Sequence, residues 1–369
     1  MSAGPSSVLL AGGGSAGHVS PLLALADCLR RSDPDVRITA LGTETGLEQR
    51  LVPARGYTLR TIPKVAFPRR PTTDLARLPA SMRGAVLAAG AAIEDAGAEV
   101  VVGFGGYVST PAYLAARRRG IPIVVHEQNS RPGLANRLGA RMTPYVATTF
   151  ASTPLPHATV VGMPLRAEIA RLDRAARRDE ALAHFGLSDT RPTLLVTGGS
   201  LGAQRLNTTF AERVDALRAA GVQVLHASGL GKEFEPSADG SGPPYVVLPY
   251  VDRMDLAYAA ADLVVARAGA NTVCELTAVG LPAVYVPLPV GNGEQRVNAA
   301  HVIAAGGGVL VDDAEVTPPW VDATLLPLLA DGDQLQAMGA ASAGVGEREA
   351  DERLAEMVRT AARTRKAPR

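Results

Sequence analysis

A glycine-rich segment near the start of the sequence, GGGSAGH at residues 12–18, ends in a histidine. Glycines let the backbone turn tightly and bring N–H groups close to an anion at the start of a helix. His18 stands where such a helix begins, and a helix N-terminus disfavours the imidazolium, so the ring is suited to accept a proton. The alternative interpretation is a structural turn with an exposed histidine.

This segment does not match the common nucleotide-binding loops. A dinucleotide fold needs G-x-G-x-x-G and an acidic residue that ends the next strand, which here runs into LGTE at 41–44. A Walker loop ends in Gly-Lys-Ser/Thr, which is missing here. We therefore disfavour a dinucleotide-dependent oxidoreductase.

Two more segments of the first half could contact a ligand, FGGYVSTP at 104–111 and HEQN at 126–129. The alternatives are a plain strand–helix turn with Tyr107 packed, and a turn capped by Asn129 or Ser130. Ligands of doubly wound sheets bind beyond the carboxyl ends of the strands. Because all three segments follow strands, we expect them to share one rim.

Three segments of the second half have the composition of a nucleotide-sugar site. GGS at 198–200 offers N–H groups and a hydroxyl to a diphosphate. RAGANTVCE at 267–275 places Glu275 one to two turns into a helix, where a carboxylate can accept from a ribose diol. The segment 287–299 offers Glu294, Gln295 and Asn298 to sugar hydroxyls. The alternatives are a structural turn, a surface charge and a polar loop.

Alternating strand and helix patterns must position these loops. Strand patterns at 8–10, 38–41, 100–103, 123–126, 145–148 and 159–161 alternate with helical patterns that include 21–31, 80–95 and 111–119. After GMP at 162–164, a charged helical segment at 165–185 precedes strand patterns at 193–197, 222–227, 245–248, 263–266 and 283–286. Such alternation indicates parallel sheets. We predict an α/β fold with two doubly wound halves facing a cleft, a hinge near 161–166 and a charged final helix at 350–364.

Composition and charge exclude several classes of protein. The 369 residues are 47% hydrophobic and 20% charged, which suits two globular domains. A net charge of +1 argues against a broad basic surface for nucleic acid. The two cysteines and six histidines lack metal-ligand spacing, and none of the motif segments contains a D-x-D triplet that would hold a divalent cation on a diphosphate, so we predict no metal and no cofactor. We also expect no signal peptide, and the apolar stretch at 84–93 is far short of the ~20 residues that span a bilayer.

Residues 60–87 combine basic and apolar side chains. The basic residues are Arg60, Lys64, Arg69, Arg70, Arg77 and Arg83, with Asp74 as the one acid among them. The interleaved apolar residues are Val65, Phe67, Leu75, Leu78, Met82, Val86 and Leu87. This pattern is typical of a contact with anionic lipids, and equally of an ordinary solvated loop and helix.

Taken together, the motifs resemble the MurG family, bacterial enzymes that add GlcNAc to lipid I and form lipid II in peptidoglycan synthesis. GGSAGHV at 13–19 is similar to the G-G-T-G-G-H signature of that family. The similar segments that follow, in the family's order, are GFGGYVSTP (103–111), HEQNSRPGLANR (126–137), VGMPLR (161–166), GGSLGAQRLN (198–207), ARAGANTVCEL (266–276) and EQRVNAA (294–300). The resemblance implies the GT-B fold, with an acceptor-binding, membrane-associating domain at 1–162, a UDP-GlcNAc-binding domain at 163–349 and a helix at 350–369 that packs back towards the first domain.

The resemblance also implies which residues form the site. UDP-GlcNAc would contact Arg166, Gly199, Ser200, Val251, Met254, Ala270, Asn271, Thr272, Glu275, Glu294 and Gln295. Lipid I would contact Ser15, Ala16, Gly17, His18, Gly105, Tyr107, His126, Gln128 and Asn129. The base that takes the proton of the muramyl 4-hydroxyl would be His18, with Glu127 as second choice. The enzyme would act without a metal on the cytoplasmic face of the cell membrane, with cell-wall synthesis and division proteins as partners.

The sequence departs from the family at four motif positions. Ser15 replaces Thr and keeps the hydroxyl, Ala16 replaces Gly, and Leu201 replaces a common Gln. Glu294 replaces Gln, which changes an amide into a charge beside the sugar. Two other functions stay open: another GT-B transferase acting on a glycolipid or natural product, and a non-catalytic nucleotide-sugar-binding protein that has no need of a base.

Overall fold

The structure, a computed structural model, describes residues 4–65, 74–199, 203–236 and 242–366. The chain divides into two compact units. One contains Met1–Arg166 and Glu349–Arg369, and the other contains Ala167–Arg348. The predicted hinge at 161–166 lies where the first unit gives way to the second.

The first unit is built on a seven-stranded parallel sheet with strand order β3-β2-β1-β4-β5-β6-β7. The strands are β1 (Ser7–Ala11), β2 (Arg37–Gly42), β3 (Thr58–Thr61), β4 (Val100–Gly103), β5 (Ile123–Glu127), β6 (Val146–Thr148) and β7 (Ala158–Val160). The sequence analysis missed β3. This strand lies at an edge of the sheet and is mostly exposed, so its TLRT sequence carries no apolar pattern.

Five helices of the first unit connect these strands: α1 (Ala16–Ser32), α2 (Glu48–Ala54), α3 (Asp74–Ala96), α4 (Gly106–Arg118) and α5 (Leu134–Gly139). Helices α1 and α4 begin five residues earlier than predicted. Pro21 and Pro111, which the prediction took as helix starts, lie inside the helices. The ends of both glycine-rich segments therefore form the first turns of helices.

The core of the first unit lies on both faces of its sheet. Val8 and Leu10 point to the face that α1 covers, whereas Leu9 and Ala11 point to the face that α3 and α4 cover. Successive side chains of a strand point to opposite faces, and a strand buried on both faces is apolar throughout. This explains why β1 reads as a continuous apolar run.

The second unit has a six-stranded parallel sheet with order β10-β9-β8-β11-β12-β13. Its strands are β8 (Thr193–Thr197), β9 (Gln223–Ala227), β10 (Tyr245–Leu248), β11 (Leu263–Ala266), β12 (Ala283–Tyr285) and β13 (Gly308–Leu310). The sequence analysis missed β13, a three-residue edge strand that begins with glycine. The two parallel sheets confirm the predicted α/β, doubly wound class.

The helices of the second unit are α6 (Ala167–Ala170), α7 (Arg174–Phe185), α8 (Gln204–Ala211), α9 (Val214–Ala219), α10 (Met254–Ala260), α11 (Ala270–Ala278), α12 (Glu294–Ala304), α13 (Pro318–Trp320), α14 (Leu326–Ala330) and α15 (Gly332–Gly344). A 3₁₀ turn (Asp313–Glu315) and a π turn (Val321–Leu325) complete the unit. The single charged segment predicted at 165–185 is two helices. Asp173 separates them because its carboxylate accepts from the Ala176 N–H and caps α7.

The last helix, α16 (Ala350–Lys366), packs on α1 and belongs to the first unit. Its residues Leu354, Ala355 and Val358 are buried in the core of that unit. The Arg31 guanidinium donates to the Asp351 carboxylate at 2.8 Å. Among the helices that the structure describes, none has the length and apolar character needed to cross a membrane.

Candidate active site

The three loops predicted on the first unit lie side by side. Strands β1, β4 and β5 are consecutive in the sheet and parallel, with Ala11 paired to Gly103 and Gly103 paired to Val125. The loops that follow these strands therefore emerge from one edge. This matches the shared rim that the sequence predicted.

His18 lies between the first two of these loops. Its Nδ1 is 3.2 Å from the Gly13 carbonyl oxygen and 3.2 Å from the Ser15 hydroxyl oxygen, and the residue as a whole is partly exposed. A Cβ atom at Gly105 would stand 3.2 Å from His18 Nε2, so glycine there leaves room beside that nitrogen. Burial lowers the pKa of His18, and the Gly13 carbonyl and the charge of Glu48 oppose this shift. The imidazole is therefore neutral at pH 7 and able to accept a proton.

Glycines supply the left-handed backbone that these loops need. Gly14 has φ +88°, and Gly105 and Gly106 have φ +90° and +76°. Other residues rarely adopt such angles. Ala16, where the family signature has glycine, begins helix α1 and needs no positive φ. Ser15, Ala16 and Gly17 thus form the exposed or partly exposed start of that helix.

Glu48 is a functional candidate that the sequence analysis missed. The side chain is fully buried, and its carboxylate accepts from the Gly14 N–H at 2.8 Å and from the Thr43 N–H and hydroxyl at 2.8 and 2.9 Å. Burial alone would raise the pKa of Glu48, but these hydrogen bonds outweigh burial and lower it. Glu48 is therefore a buried anion beneath the glycine loop. A lone glutamate in a helical pattern gave no sign of this contact.

The HEQN segment points mostly into the protein. His126 and Gln128 are buried, with His126 Nε2 3.0 Å from the Gly162 carbonyl and Gln128 Nε2 3.0 Å from His126 Nδ1. Burial lowers the pKa of His126 to about 4, so the ring is neutral. The predicted contact of these two side chains with lipid I would require the loop to open. Asn129, by contrast, is partly exposed.

The carboxylate of Glu127 is also buried and hydrogen-bonded within the protein. Its carboxylate accepts from the N–H groups of Asn129 and Gly133, each at 3.0 Å, and from the Asn136 amide at 2.9 Å. Burial raises the pKa of Glu127 against these hydrogen bonds. Asn136 is in turn held by the hydroxyl of Tyr113 at 2.8 Å. This geometry suits a role in shaping the loop, because both carboxylate oxygens of Glu127 accept hydrogen bonds within the protein.

Tyr107 is exposed, in contrast to the packed position considered from the sequence. Its side chain is 44% exposed, and the Lys64 ammonium lies 5.0 Å from the centre of its ring. Both residues border a pocket of about 80 Å³ whose other lining residues are Gly13, Gly14, Thr43, Thr45, Gly46 and Val108. Because the Gly14 N–H and the Thr43 N–H and hydroxyl donate to Glu48, the lining group suited to contact an anion is the Lys64 ammonium.

The predicted donor loops of the second unit also share one edge. Strands β8, β11 and β12 are consecutive, and β10 lies beyond β9 on the other side of β8. Gly199 is exposed after β8 with φ +78°, whereas Ser200 lies outside the described residues. Val251 is buried, and Met254 is the partly exposed first residue of α10.

Glu275 is held by a tyrosine that the sequence analysis did not identify. The Tyr258 hydroxyl, buried on α10, donates to Glu275 Oε2 at 2.8 Å. Glu275 is partly exposed on α11, one turn beyond Asn271 and Thr272, which are also partly exposed. Ala270, the first residue of this helix, is buried. The tyrosine therefore orients a carboxylate that solvent can reach.

Arg267 stabilises the loop that leads to the predicted sugar contacts. Its guanidinium donates to the carbonyls of Val286 and Pro287 at 3.2 Å and lies 2.6 Å from the Asp313 carboxylate. Further along this loop, Gln295 Oε1 accepts from the Leu288 N–H at 2.9 Å, so part of its amide shapes the loop. Glu294 begins α12 and is partly exposed.

Two remaining predictions concern the end of the first unit and metal binding. Arg166 is partly exposed at the end of that unit, six residues after β7. In the part of the chain that the structure describes, there is no group of three or more His, Cys, Asp or Glu side chains that could hold a metal ion.

The basic stretch at 60–87 is less apolar on its surface than the sequence suggested. Val65 and Val86 are buried in the core and unavailable to lipid, whereas Leu78 and Met82 pack against the core and are partly buried. Leu87 is 60% exposed. Phe67, Arg69 and Arg70 lie outside the described residues, and so do the side chains of Leu75 and Arg77. The sequence pattern does not show which face of α3 packs on the sheet, so the prediction included apolar residues that are buried.

Comparison with known proteins places this site in a family. The glycosyltransferase family 28 N-terminal domain matches residues 8–148, and the family 28 C-terminal domain matches residues 193–354. A UDP-N-acetylglucosamine–N-acetylmuramyl-(pentapeptide) pyrophosphoryl-undecaprenol N-acetylglucosamine transferase of Nocardioides sp. is 61% identical over 353 residues, 95% of this chain and 97% of that protein. The protein of the same name from Leifsonia xyli is 59% identical over 95% of this chain and 98% of its own.

A solved structure agrees with these relatives. The crystal structure of MurG from Acinetobacter baumannii matches with a TM-score of 0.78 and 28% identity, covering 96% of this chain and 100% of that one. The family predicted from the motifs is thereby confirmed. The chain belongs to glycosyltransferase family 28, within its MurG group of N-acetylglucosaminyltransferases.

Proposed function

We propose that the protein transfers GlcNAc from UDP-GlcNAc to lipid I, undecaprenyl-diphosphate-MurNAc-pentapeptide, and so forms lipid II. The observation that carries the proposal is the position of His18, a neutral imidazole at the junction of two glycine loops with room beside Nε2. The relatives named for this reaction support it over nearly their whole length.

The reaction is a single displacement. The muramyl 4-hydroxyl attacks the anomeric carbon of GlcNAc, the bond from that carbon to the UDP oxygen breaks, and the configuration inverts. The hydroxyl proton passes to His18 Nε2, and UDP leaves. General base catalysis of this kind contributes roughly 10²–10⁴-fold to the rate.

The first unit would bind the acceptor. Ser15, Ala16 and Gly17 would face its diphosphate at the start of α1, because helix N-termini attract anions. Gly105, Tyr107 and Asn129 would contact the diphosphate and the sugar from the neighbouring loops. In this arrangement Glu127, His126 and Gln128 act through the shape of their loop.

The second unit would bind the donor. Glu275 would accept from the ribose diol, and Gly199 with Ser200 would face the diphosphate. Val251 and Met254 would border the uracil, and Arg166 would approach the nucleotide. The residues near the phosphate and GlcNAc would be Ala270, Asn271, Thr272, Glu294 and Gln295. No metal is assigned a part, so backbone dipoles and hydroxyls would meet the charge of the leaving group.

We also propose that the first unit rests on the cytoplasmic face of the cell membrane. Arg83 and Leu87 are exposed one turn apart on α3, which supports a surface that combines a basic and an apolar side chain. Reversing the charges of Arg69, Arg70 and Arg77 should weaken flotation with anionic vesicles. Unchanged flotation would reject this contact.

The test of the proposed function is turnover of UDP-GlcNAc with a lipid I analogue, compared with other UDP-sugars and other acceptors. We expect His18→Ala to lower kcat by about 10²–10⁴-fold while the affinity for UDP changes little. His184→Ala, which removes an exposed histidine from α7, is the matched control. A His18→Ala enzyme with near-normal kcat would remove His18 as the base, and turnover only with a different acceptor would favour the alternative transferase.

A further inference from the structure

A single peptide unit joins the proposed base to a buried carboxylate. The carbonyl of Gly13 is 3.2 Å from His18 Nδ1, and the N–H of the same peptide, on Gly14, donates to Glu48 Oε2 at 2.8 Å. The order of groups is carboxylate, peptide, imidazole. From this chain we infer that Glu48 is a positioning residue for the transferase reaction, which it serves by holding His18 with the proton on Nδ1 and Nε2 free to act as the base.

The chemistry of the three groups explains this orientation. A carboxylate that accepts from a peptide N–H polarises the peptide, so that its carbonyl oxygen becomes a stronger acceptor. A stronger acceptor at Gly13 favours the imidazole form that carries its proton on Nδ1. When His18 takes the hydroxyl proton, the ring becomes cationic, and the nearby anion stabilises it. A carboxylate that touches a catalytic histidine directly has the same two effects in other enzymes.

The surroundings of Glu48 are built around its carboxylate. A Cβ atom at Gly13, Gly42 or Gly46 would overlap the Glu48 side chain, so glycine is needed at three positions to admit it. The Thr43 N–H and hydroxyl both donate to Oε1, while the Gly14 N–H donates to Oε2. A buried charge that lacked these partners would cost several kcal/mol. The carboxylate therefore spans the loops after β1 and β2 in one fixed arrangement.

The other polar groups that the structure places near the His18 ring are uncharged. The Gly105–Gly106 backbone and the Asn136 amide stand near the ring and do not titrate. The Ser15 hydroxyl is the second polar group within reach of Nδ1. Glu48 is the charged side chain whose field raises the pKa of His18. Removing that charge should therefore lower this pKa further.

The inference rests on the proposed function only for the role of His18 as base, and its first test does not use turnover. In protein labelled with ¹⁵N at histidine, the imidazole nitrogen shifts report which nitrogen of His18 carries the proton, and His18→Gln identifies the signals. We expect the Nδ1–H form in the ligand-free, wild-type protein above the pKa of His18. Observation of the Nε2–H form would overturn the inference.

The second test compares Glu48→Gln with Glu44→Gln, which removes an exposed charge from the same loop. Glutamine at 48 keeps the shape but removes the charge and places an NH₂ group against the N–H of either Gly14 or Thr43. We expect Glu48→Gln to lower kcat by about 10- to 100-fold, less than the ~10⁴-fold seen when a carboxylate in direct contact with histidine is lost. In the Glu48→Gln variant, the pKa of His18 should be lower than in the wild type, as measured by NMR and by the acidic limb of the kcat/KM profile. Glu44→Gln should match the wild type.

The outcomes separate positioning from mere support of the loop. A loosened loop would raise KM for the acceptor and expose His18, which moves its pKa upward towards 6.5. That upward shift, or a folded Glu48→Gln protein with unchanged kcat and pH profile, would contradict the inference. If Glu48→Gln does not fold, the wild-type spectrum decides alone. If the wild type does not use UDP-GlcNAc and lipid I, the proposed function fails while the NMR titration still tests the coupling.

Discussion

A conservative substitution of Tyr258, which donates a hydrogen bond to Glu275, tests the proposed donor site. Tyr258→Phe removes the hydroxyl that donates to Glu275 Oε2 at 2.8 Å and leaves the ring in its buried position. Without that hydrogen bond, the Glu275 carboxylate gains rotational freedom that ribose binding must remove. We expect weaker binding of UDP with little loss of stability.

The magnitude follows from the cost of ordering a side chain. The hydrogen bond between Tyr258 and Glu275 does not involve UDP, so its own energy does not change the affinity. A Glu275 side chain freed by Tyr258→Phe must instead be ordered when UDP binds, which costs about 0.5–1.5 kcal/mol. The Kd for UDP should therefore rise by about 2- to 12-fold, since 1.4 kcal/mol is a factor of ten.

Calorimetric titration of the full chain with UDP measures this change, and thermal unfolding checks that each variant is folded. Tyr285→Phe is the matched control, because the Tyr285 hydroxyl is also buried but has no hydrogen-bond partner among the described residues. Its affinity for UDP should stay at the wild-type value. Glu275→Ala should exceed the effect of Tyr258→Phe.

Three results would contradict this reasoning. Equal UDP affinity in Tyr258→Phe and the wild type would show that the hydroxyl does not orient a ribose-binding carboxylate. Equal affinity in Glu275→Ala would reject the ribose role itself. A similar loss in Tyr258→Phe and Tyr285→Phe would point to a general effect of removing a buried hydroxyl.

Two further predictions concern stability. Asn136→Ala should lower the free energy of unfolding by about 3–5 kcal/mol in urea, because Glu127 and two other buried groups lose a partner. Leu134→Ala on the same helix, at a position 73% exposed, should change it by less than about 0.5 kcal/mol. Burial lowers the pKa of His126 to about 4 and of His226 to about 3. Below pH 6.5 the unfolded chain therefore binds more protons than the folded protein, and the free energy of unfolding decreases as the pH is lowered. The free energies of unfolding from urea titrations at pH 7 and pH 5 should differ by about 2 kcal/mol per histidine, and equal values would contradict this account.

The class of fold could be predicted because its signals are local. Apolar strands that alternate with helical patterns need few residues to be recognised, and the parallel sheets follow from that alternation. The errors fell where local signals are weakest. Strands β3 and β13 are short edge strands, and Pro21 and Pro111 marked helix starts that lie five residues earlier.

The candidate site was predictable as a set of loops, and the family as an ordered set of motifs. The sequence did not predict whether the side chains of these loops face a ligand or point into the protein. The HEQN sequence is typical of a polar segment that contacts a ligand. In the structure, however, His126, Glu127 and Gln128 are buried and form hydrogen bonds within the protein. A polar residue has the same sequence pattern whether it faces a ligand or satisfies a buried neighbour.

By itself, the sequence determined the strand and helix pattern, the glycine positions that permit tight turns, and the family. Only the tertiary structure decided that Glu48 lies beneath the Gly13–Gly14 peptide, 34 residues away from Gly14 in the chain. It also decided that Tyr258 meets Glu275 across 17 residues. Backbone conformation depends on each residue and its neighbours, whereas a hydrogen bond between distant side chains exists only once the sheet has brought its loops together.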